Sequence, residues 1–279
     1  EFKYSKHHFT KLMKIFDCTT YFSEDMIMDL RFNILNDSVD YFVISESTRN
    51  HQGEKKKLNF NINNFGKFKH KIKYVVADYQ NKIDFEGHAG GESLVEQHQR
   101  NSLSEGIVNA NDNDLIILSD SDEFPDLTKL NQIKKNAKFI AFSQTMFMYK
   151  LNLQNLNESS WIGSKMSLKK NFPTPQKLRN LKFKEYPFWR VDKIKLQTIK
   201  GGWHFSYLQK PSDIAKKIRS FSHGEYNKKE LVDEKKIEEK ILNNEDIFNR
   251  GYELKKIDID NAYPDFIRKN KKLLNEWII

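Results

Sequence analysis

Apolar residues in this chain gather in short blocks between polar, turn-forming runs, and the period of each block predicts an element. Lys14–Phe16 begins a short apolar strand, and Asp17-Cys-Thr-Thr-Tyr-Phe22 follows as a loop. Ser23 and Glu24 suit the cap of a helix whose apolar positions, Met26, Ile27, Leu30, Ile34 and Leu35, recur at helical spacing. Tyr41–Ser45 is a continuous apolar run, the mark of a strand covered on both faces, and Ile72–Ala77 is another. Gly87–Gly91 interrupts the pattern, and a helix runs from about Glu92 to Asn109. Leu115–Leu118 is a fourth strand, Pro125 opens a further helix, and Phe139–Phe142 returns to strand.

The second half is less regular. Asn171–Gln176 reads as a loop, Tyr186–Arg190 is aromatic, and Thr198–Leu208 is a turn and strand. Leu231–Phe248 reads as a charged amphipathic helix carrying Leu231, Ile237, Ile241 and Phe248, and Phe266–Trp277 as a last helix after Pro264. Strand, helix, strand, strand, helix, strand is an α/β order: a mostly parallel sheet flanked by helices, with a helical C-terminal segment. No internal repeat or linker divides the chain, so 14–279 reads as one domain. Residues 1–13 read as a native extension, a truncated linker or an expression remnant.

Composition narrows the class. With 38% hydrophobic and 13% aromatic residues over 279 positions, the chain can bury a substantial core, which argues against disorder. A net charge of +9 favours anionic partners. The lysines are spread along the chain and seldom interleave with aromatics, which disfavours a nucleic-acid groove. One cysteine, Cys18, excludes an intramolecular disulfide. No apolar run approaches the roughly 20 residues of a membrane span, and no secretory signal is visible. Oligomeric state is not legible.

The strongest candidate chemistry ends the run Asp114-Leu-Ile-Ile-Leu-Ser-Asp-Ser-Asp-Glu123. In an extended segment residues two apart share a face, so Asp120 and Asp122 can aim at one divalent ion, directly or through water. Hard oxygen ligands suit Mg2+ or Mn2+, which keep positions open for phosphate oxygens. The competing view is a polar turn that caps the next helix. In Lys200-Gly-Gly-Trp-His-Phe-Ser-Tyr207, His204 is a candidate third metal ligand and Trp203 a face for a sugar ring, or both are core residues; Trp161 and Trp189 could likewise stack on a sugar or belong to the core. In Phe221-Ser-His-Gly-Glu-Tyr226, Glu225 beside His223 suits general-base work, or a surface turn. Arg100 could clamp a diphosphate with its planar fork, or sit in a salt-bridged helix face. Glu46, after the Tyr41 strand, could accept hydrogen bonds from ribose or base hydroxyls.

These motifs, in this order, resemble the family typified by β-1,4-mannosyl-glycoprotein 4-β-N-acetylglucosaminyltransferase, glycosyltransferase family 17. The matching stretches are Ile15–Glu24, Phe42–Thr48, Gln99–Asn101, Leu118–Pro125, Trp161–Lys165, Gly201–Leu208 and Phe221–Tyr226. The resemblance implies a GT-A fold and a metal-dependent, inverting enzyme. It also implies a UDP-sugar donor, with UDP-GlcNAc that of the best-known relative, and a carbohydrate acceptor. It places Asp120 and Asp122 on the metal-binding loop, His204 as a further metal ligand, Glu46 and Arg100 in the donor site, and Lys165 beside phosphate. For the general base, Glu225 comes first and Asp213 second. Unlike the family's animal members, this chain shows no membrane anchor and a single cysteine, so it reads as a cytoplasmic or otherwise soluble catalytic domain.

Two rivals stand against the enzyme. A haloacid-dehalogenase-type phosphatase also places Asp-x-Asp after a strand, but expects Thr or Val where this chain has Phe124. A non-catalytic carbohydrate or nucleic-acid binding module draws weak support from the basic charge.

Overall fold

The structure, a computed structural model, describes residues 13–79, 88–89, 92–183, 190, 196–220 and 232–279. The Glu225 motif, Trp189 and most of the Gly87–Gly91 and Tyr186–Arg190 segments lie outside the described residues. In chain order the strands and helices are β1 (Ile15–Tyr21), α1 (Asp25–Leu35), β2 (Tyr41–Ser47), β3 (Ile72–Ala77), β4 (His88–Ala89), β5 (Glu92–Ser93), α2 (Leu94–Gly106), β6 (Leu115–Ser119), β7 (Glu123–Phe124), β8 (Phe139–Met148), β9 (Leu153–Asn155), β10 (Trp161–Leu168), α3 (Pro175–Arg179), β11 (Leu196–Ser206), α4 (Pro211–Ser220), α5 (Glu234–Leu242), β12 (Leu254–Lys256) and α6 (Asp265–Lys269).

One sheet takes all of these strands except the β4–β5 hairpin, in the order β12-β9-β8-β10-β6-β1-β2-β3, with β11 beside β8 and β7 beside β11. β1, β2, β3 and β6 are parallel neighbours, and β10 runs antiparallel between β6 and β8. Among the described strands of this sheet, only β7, β9 and β10 oppose the rest. This is the expected mostly parallel α/β sheet flanked by helices.

The central strands are apolar on both faces because helices cover both. Ile15, Tyr21, Phe42, Ile44, Leu115 and Ile117 face α1 and its Ile27, Leu30 and Phe32. The alternate residues Phe16, Cys18, Val43, Ile116 and Leu118 face α2 and its Leu103. Phe32 meets Phe42 at a centroid distance of 4.7 Å and Phe65 at 5.1 Å, edge-on. Truncating such a ring to Ala costs about 3–5 kcal/mol.

Several expected boundaries shift for identifiable reasons. Asp17–Tyr21 is strand, where the sequence suggested a loop after Phe16. Asp17 is fully buried there because Arg31 of α1 clamps both its oxygens at 2.6 Å. Ser23 does not cap α1; Glu24 occupies that position, and its carboxylate accepts from the Phe22 and Ser23 amides at 2.9 Å. Pro125 opens no α-helix: β7 precedes it, and a 3-10 turn over Leu127–Gln132 follows. The expected loop at Asn171–Gln176 contains the start of α3, capped by Thr174 with Pro175 at its first position. The charged helix is shorter than expected and ends at Leu242, where Asn243 caps it and Asn244 takes a left-handed φ of 58°. The last helix likewise ends at Lys269.

Candidate active site

The acidic loop sits where parallel β6 ends and antiparallel β7 begins. Its turn closes on itself: Glu123 N donates to Asp120 O at 3.1 Å, and Asp120 N donates to Glu123 Oε2 at 3.1 Å. β11 then holds it from outside, with His204 opposite Glu123 in register and Phe205 N donating to Asp122 O at 2.9 Å. Gly202 makes that pairing possible. Its φ is +107°, and a Cβ there would stand 2.3 Å from the Phe124 carbonyl. The glycine pair thus admits a neighbouring strand.

This pairing brings the Asp122 carboxylate to within 3.4 Å of His204 Nε2. Burial opposes charge on both groups, but each outweighs it for the other. Asp122 is held down at about 2, and the His204 imidazole is raised above its ordinary value. The His204 ring rests on Trp161, with centroids 4.9 Å apart. Trp161 Nε1 donates to the buried carboxylate of Glu123 at 2.9 Å. His204 Nδ1 is buried without a hydrogen-bond partner, so the ring is positioned by its Trp161 contact and by Asp122.

Asp120 faces the other way, toward two arginines. Arg179 Nη2 stands 2.6 Å from Oδ2, and Arg100 Nη2 stands 3.6 Å from Oδ1. Burial would raise the Asp120 carboxyl, but the two guanidiniums outweigh it and hold the group below its usual value. Arg179 also meets Glu123 Oε1 at 3.1 Å. The Gln99-Arg-Asn101 run explains how these cations are aimed. Gln99 Nε2 donates to the Tyr21 and Ser45 carbonyls at the ends of β1 and β2. Arg100 Nη1 reaches Gln176 Oε1 of α3 at 2.5 Å, and Gln176 N donates to Asn101 Oδ1 at 3.0 Å. From α4, Lys217 adds a third cation, 3.7 Å from Glu24 Oε1. Burial works against its charge, but Glu24 and Asp122 keep its pKa raised.

The predicted site residues therefore divide. Asp120, Asp122, His204 and Arg100 converge. Lys165 lies beneath them: its ammonium donates to the Arg179 carbonyl and to the Leu181 carbonyl at 2.8 Å, pinning the end of α3. Burial and the Arg179 charge push its pKa down to about 8. Glu46 is fully buried and accepts from Lys56 Nζ, the Asn59 and Phe60 amides and Tyr74 OH at 2.5–2.9 Å. It staples the 56–60 segment to the sheet. Trp203, one residue from His204, points to the opposite face of β11, packs on the main core and donates to Ala262 O at 3.2 Å. Asp213 is exposed in the first turn of α4, one turn before Lys217.

Sequence reasoning left Arg179, Glu123 and Lys217 without site roles, and only Glu123 carried a signal, its place in the acidic run. Trp161 stood there as one of three tryptophans that could stack on a sugar or belong to the core.

Among the described residues no group of three or more His, Cys, Asp or Glu side chains is gathered around one point as a ready-made metal nest. Asp122 and His204 nevertheless suit a divalent cation. Two ligand atoms about 2.1 Å from one ion, at right angles, lie about 3 Å apart, close to the separation seen here. Asp120 would join them only by turning from its arginines.

The profile of glycosyltransferase family 17 matches residues 3–255. No curated protein sequence matches the chain. Among solved structures, a Bacillus anthracis protein assigned as a glucose-1-phosphate thymidylyltransferase, in complex with sucrose, is similar at a TM-score of 0.36 and 14% identity. The match covers 68% of this chain and 88% of that one. An active-site mutant of LgtC is similar at a TM-score of 0.32 and 11% identity, covering 65% of this chain and 72% of that one.

Proposed function

The chain belongs to glycosyltransferase family 17, and from that membership we propose that it is a metal-dependent, inverting enzyme that moves a sugar, GlcNAc foremost, from a UDP-sugar to a hydroxyl of a glycan or similar acceptor. Membership replaces both the phosphatase and the binding-module readings. The observation that carries the finer proposal is the pairing of Asp122 with His204 at 3.4 Å on a loop at the end of a parallel strand, flanked by arginines. Ligands of open α/β sheets bind beyond the carboxyl ends of such strands.

Asp122 and His204, with Asp120, would hold Mn2+ or Mg2+. Bound there, it would supply Lewis-acid neutralisation of the leaving diphosphate. Arg100, fixed by Gln176 and Glu96, contributes positive charge at the same place. Trp161 offers an apolar wall beside His204, which suits a sugar ring. Inversion requires one carboxylate to take the acceptor proton as the hydroxyl attacks the anomeric carbon, so that an α-linked donor gives a β-linked product. Glu225 remains the first candidate for that base. Asp213 is the second, on the helix that carries Lys217 toward the loop.

No described helix is long and apolar enough to cross a membrane. The deciding experiment is a panel of sugar nucleotides assayed for metal-dependent hydrolysis. UDP-GlcNAc should be cleaved fastest, and EDTA should stop the reaction. Cleavage of no UDP-sugar under any metal condition would end the proposal.

A further inference from the structure

We infer that Arg179 is a diphosphate ligand held in reserve on Asp120, so that the acidic loop takes its ion with full affinity only when a nucleoside diphosphate draws the guanidinium away. This rests on the sugar-nucleotide reading of the site and adds to it a coupling between the two ligands.

The geometry carries it. Arg179 sets Nη2 on Asp120 Oδ2 at 2.6 Å and Nη1 on Glu123 Oε1 at 3.1 Å, while Arg100 faces the second oxygen of Asp120 at 3.6 Å. Asp120 therefore meets a cation on each oxygen, and it can approach an ion beside Asp122 and His204 only as an arginine leaves. Glu123 keeps donors when Arg179 departs, because Trp161 Nε1 and the Asp120 amide also reach it, at 2.9 and 3.1 Å. Asp120 is thus the group released.

Arg179 is built as a pivot. It is the last residue of α3, and Lys165 fixes its carbonyl together with that of Leu181. The backbone stays while the side chain, 18% exposed, reaches across the loop. Its planar fork suits two oxygens of a diphosphate as well as it suits two carboxylates, and a diphosphate carries the greater charge. Transfer of the fork from Asp120 to phosphate gives Asp120 to the ion. Each ligand then favours the other by the same factor.

The test titrates the full chain with Mn2+ alone, UDP alone and both, following free Mn2+ by electron paramagnetic resonance and UDP by calorimetry. In the unmodified protein UDP should tighten Mn2+ binding at least about tenfold, a coupling near 1.4 kcal/mol. In Arg179→Gln, Mn2+ alone should bind several-fold tighter than in the unmodified protein, while UDP with Mn2+ binds roughly tenfold weaker. Asp120→Asn should show the reciprocal change, tighter metal-free UDP. Arg179→Lys, which keeps the charge and loses the fork, should fall between and serves if Arg179→Gln does not fold. If the unmodified protein binds neither UDP nor Mn2+, the sugar-nucleotide reading fails and takes this inference with it. If it binds both, but neither Arg179 variant tightens Mn2+, the reserve role alone is overturned.

Discussion

Trp161 donates its indole N–H to Glu123 Oε1 at 2.9 Å while its ring lies against the imidazole of His204. One side chain thus serves a buried acid and positions the neighbouring imidazole. Trp161→Phe keeps the ring and removes the donor, which should cost about 1–3 kcal/mol of stability. Trp161→Ala removes both and should cost about 3–5 kcal/mol. Urea denaturation separates the two. Equal losses would mean that the ring contact with His204 contributes nothing.

Mn2+ and UDP added together should raise the melting temperature, because ligands that bind only the folded state stabilise it. Asp122→Ala should remove that rise while leaving the unliganded protein folded, since Asp122 lies at a half-buried turn. A rise that survives the substitution would move the metal site elsewhere.

Much of this was legible in the sequence, in places where one force dominates. Tyr41–Ser45, Ile72–Ala77 and Leu115–Leu118 are continuous apolar runs, and all three are sheet strands. The acidic loop lay at a strand end as expected. β1 was misread after Phe16 because Asp17, Thr19 and Thr20 look like loop. Nothing local reveals that the guanidinium neutralising Asp17 sits 14 residues away on α1. Arg179 was invisible for a similar reason. Its helix is five residues long and hides behind Asn171-Phe-Pro-Thr-Pro, and its partners lie 56 and 59 residues earlier. Glu46 stood at a strand end, as a ligand-binding residue would, yet four local donors use its carboxylate.

The Asp17–Arg31 pair gives a test of stability against function. Arg31→Met leaves a buried carboxylate uncompensated and should cost about 3–5 kcal/mol. The double variant Asp17→Leu with Arg31→Met should recover much of that. It should still bind UDP and Mn2+ weakly, because Arg31 Nη1 also donates to the Glu123 carbonyl at 2.6 Å. Recovery of binding along with stability would deny Arg31 any hold on the loop.

Asp246 supplies a pH signature. Burial pushes its carboxyl up, but two bonds from Arg250 at 2.8 and 3.0 Å and one from Tyr149 OH outweigh burial and lower it. A folded-state pKa below the unfolded one adds stability above the unfolded value of about 3.9, and that stability is lost as pH falls through the lower folded value. Asp246→Asn should therefore be clearly less stable than the unmodified protein at pH 7. The gap should narrow in acid, as pH falls below the unfolded value of about 3.9. Urea midpoints at pH 7 and in acid check this, and a gap that stays constant would contradict it.

Arg31 has a consequence for engineering. Its guanidinium joins a helix, a central strand and the acidic turn through Asp17 and the Glu123 carbonyl. The loop's shape is therefore not portable by its own few residues. A graft of Ser119–Phe124 onto another sheet would leave behind two residues about 90 and 100 positions upstream that hold it from below. The buried pair therefore travels with the loop: a transplant that keeps its shape must carry Asp17 and Arg31 as well as Asp120 and Asp122.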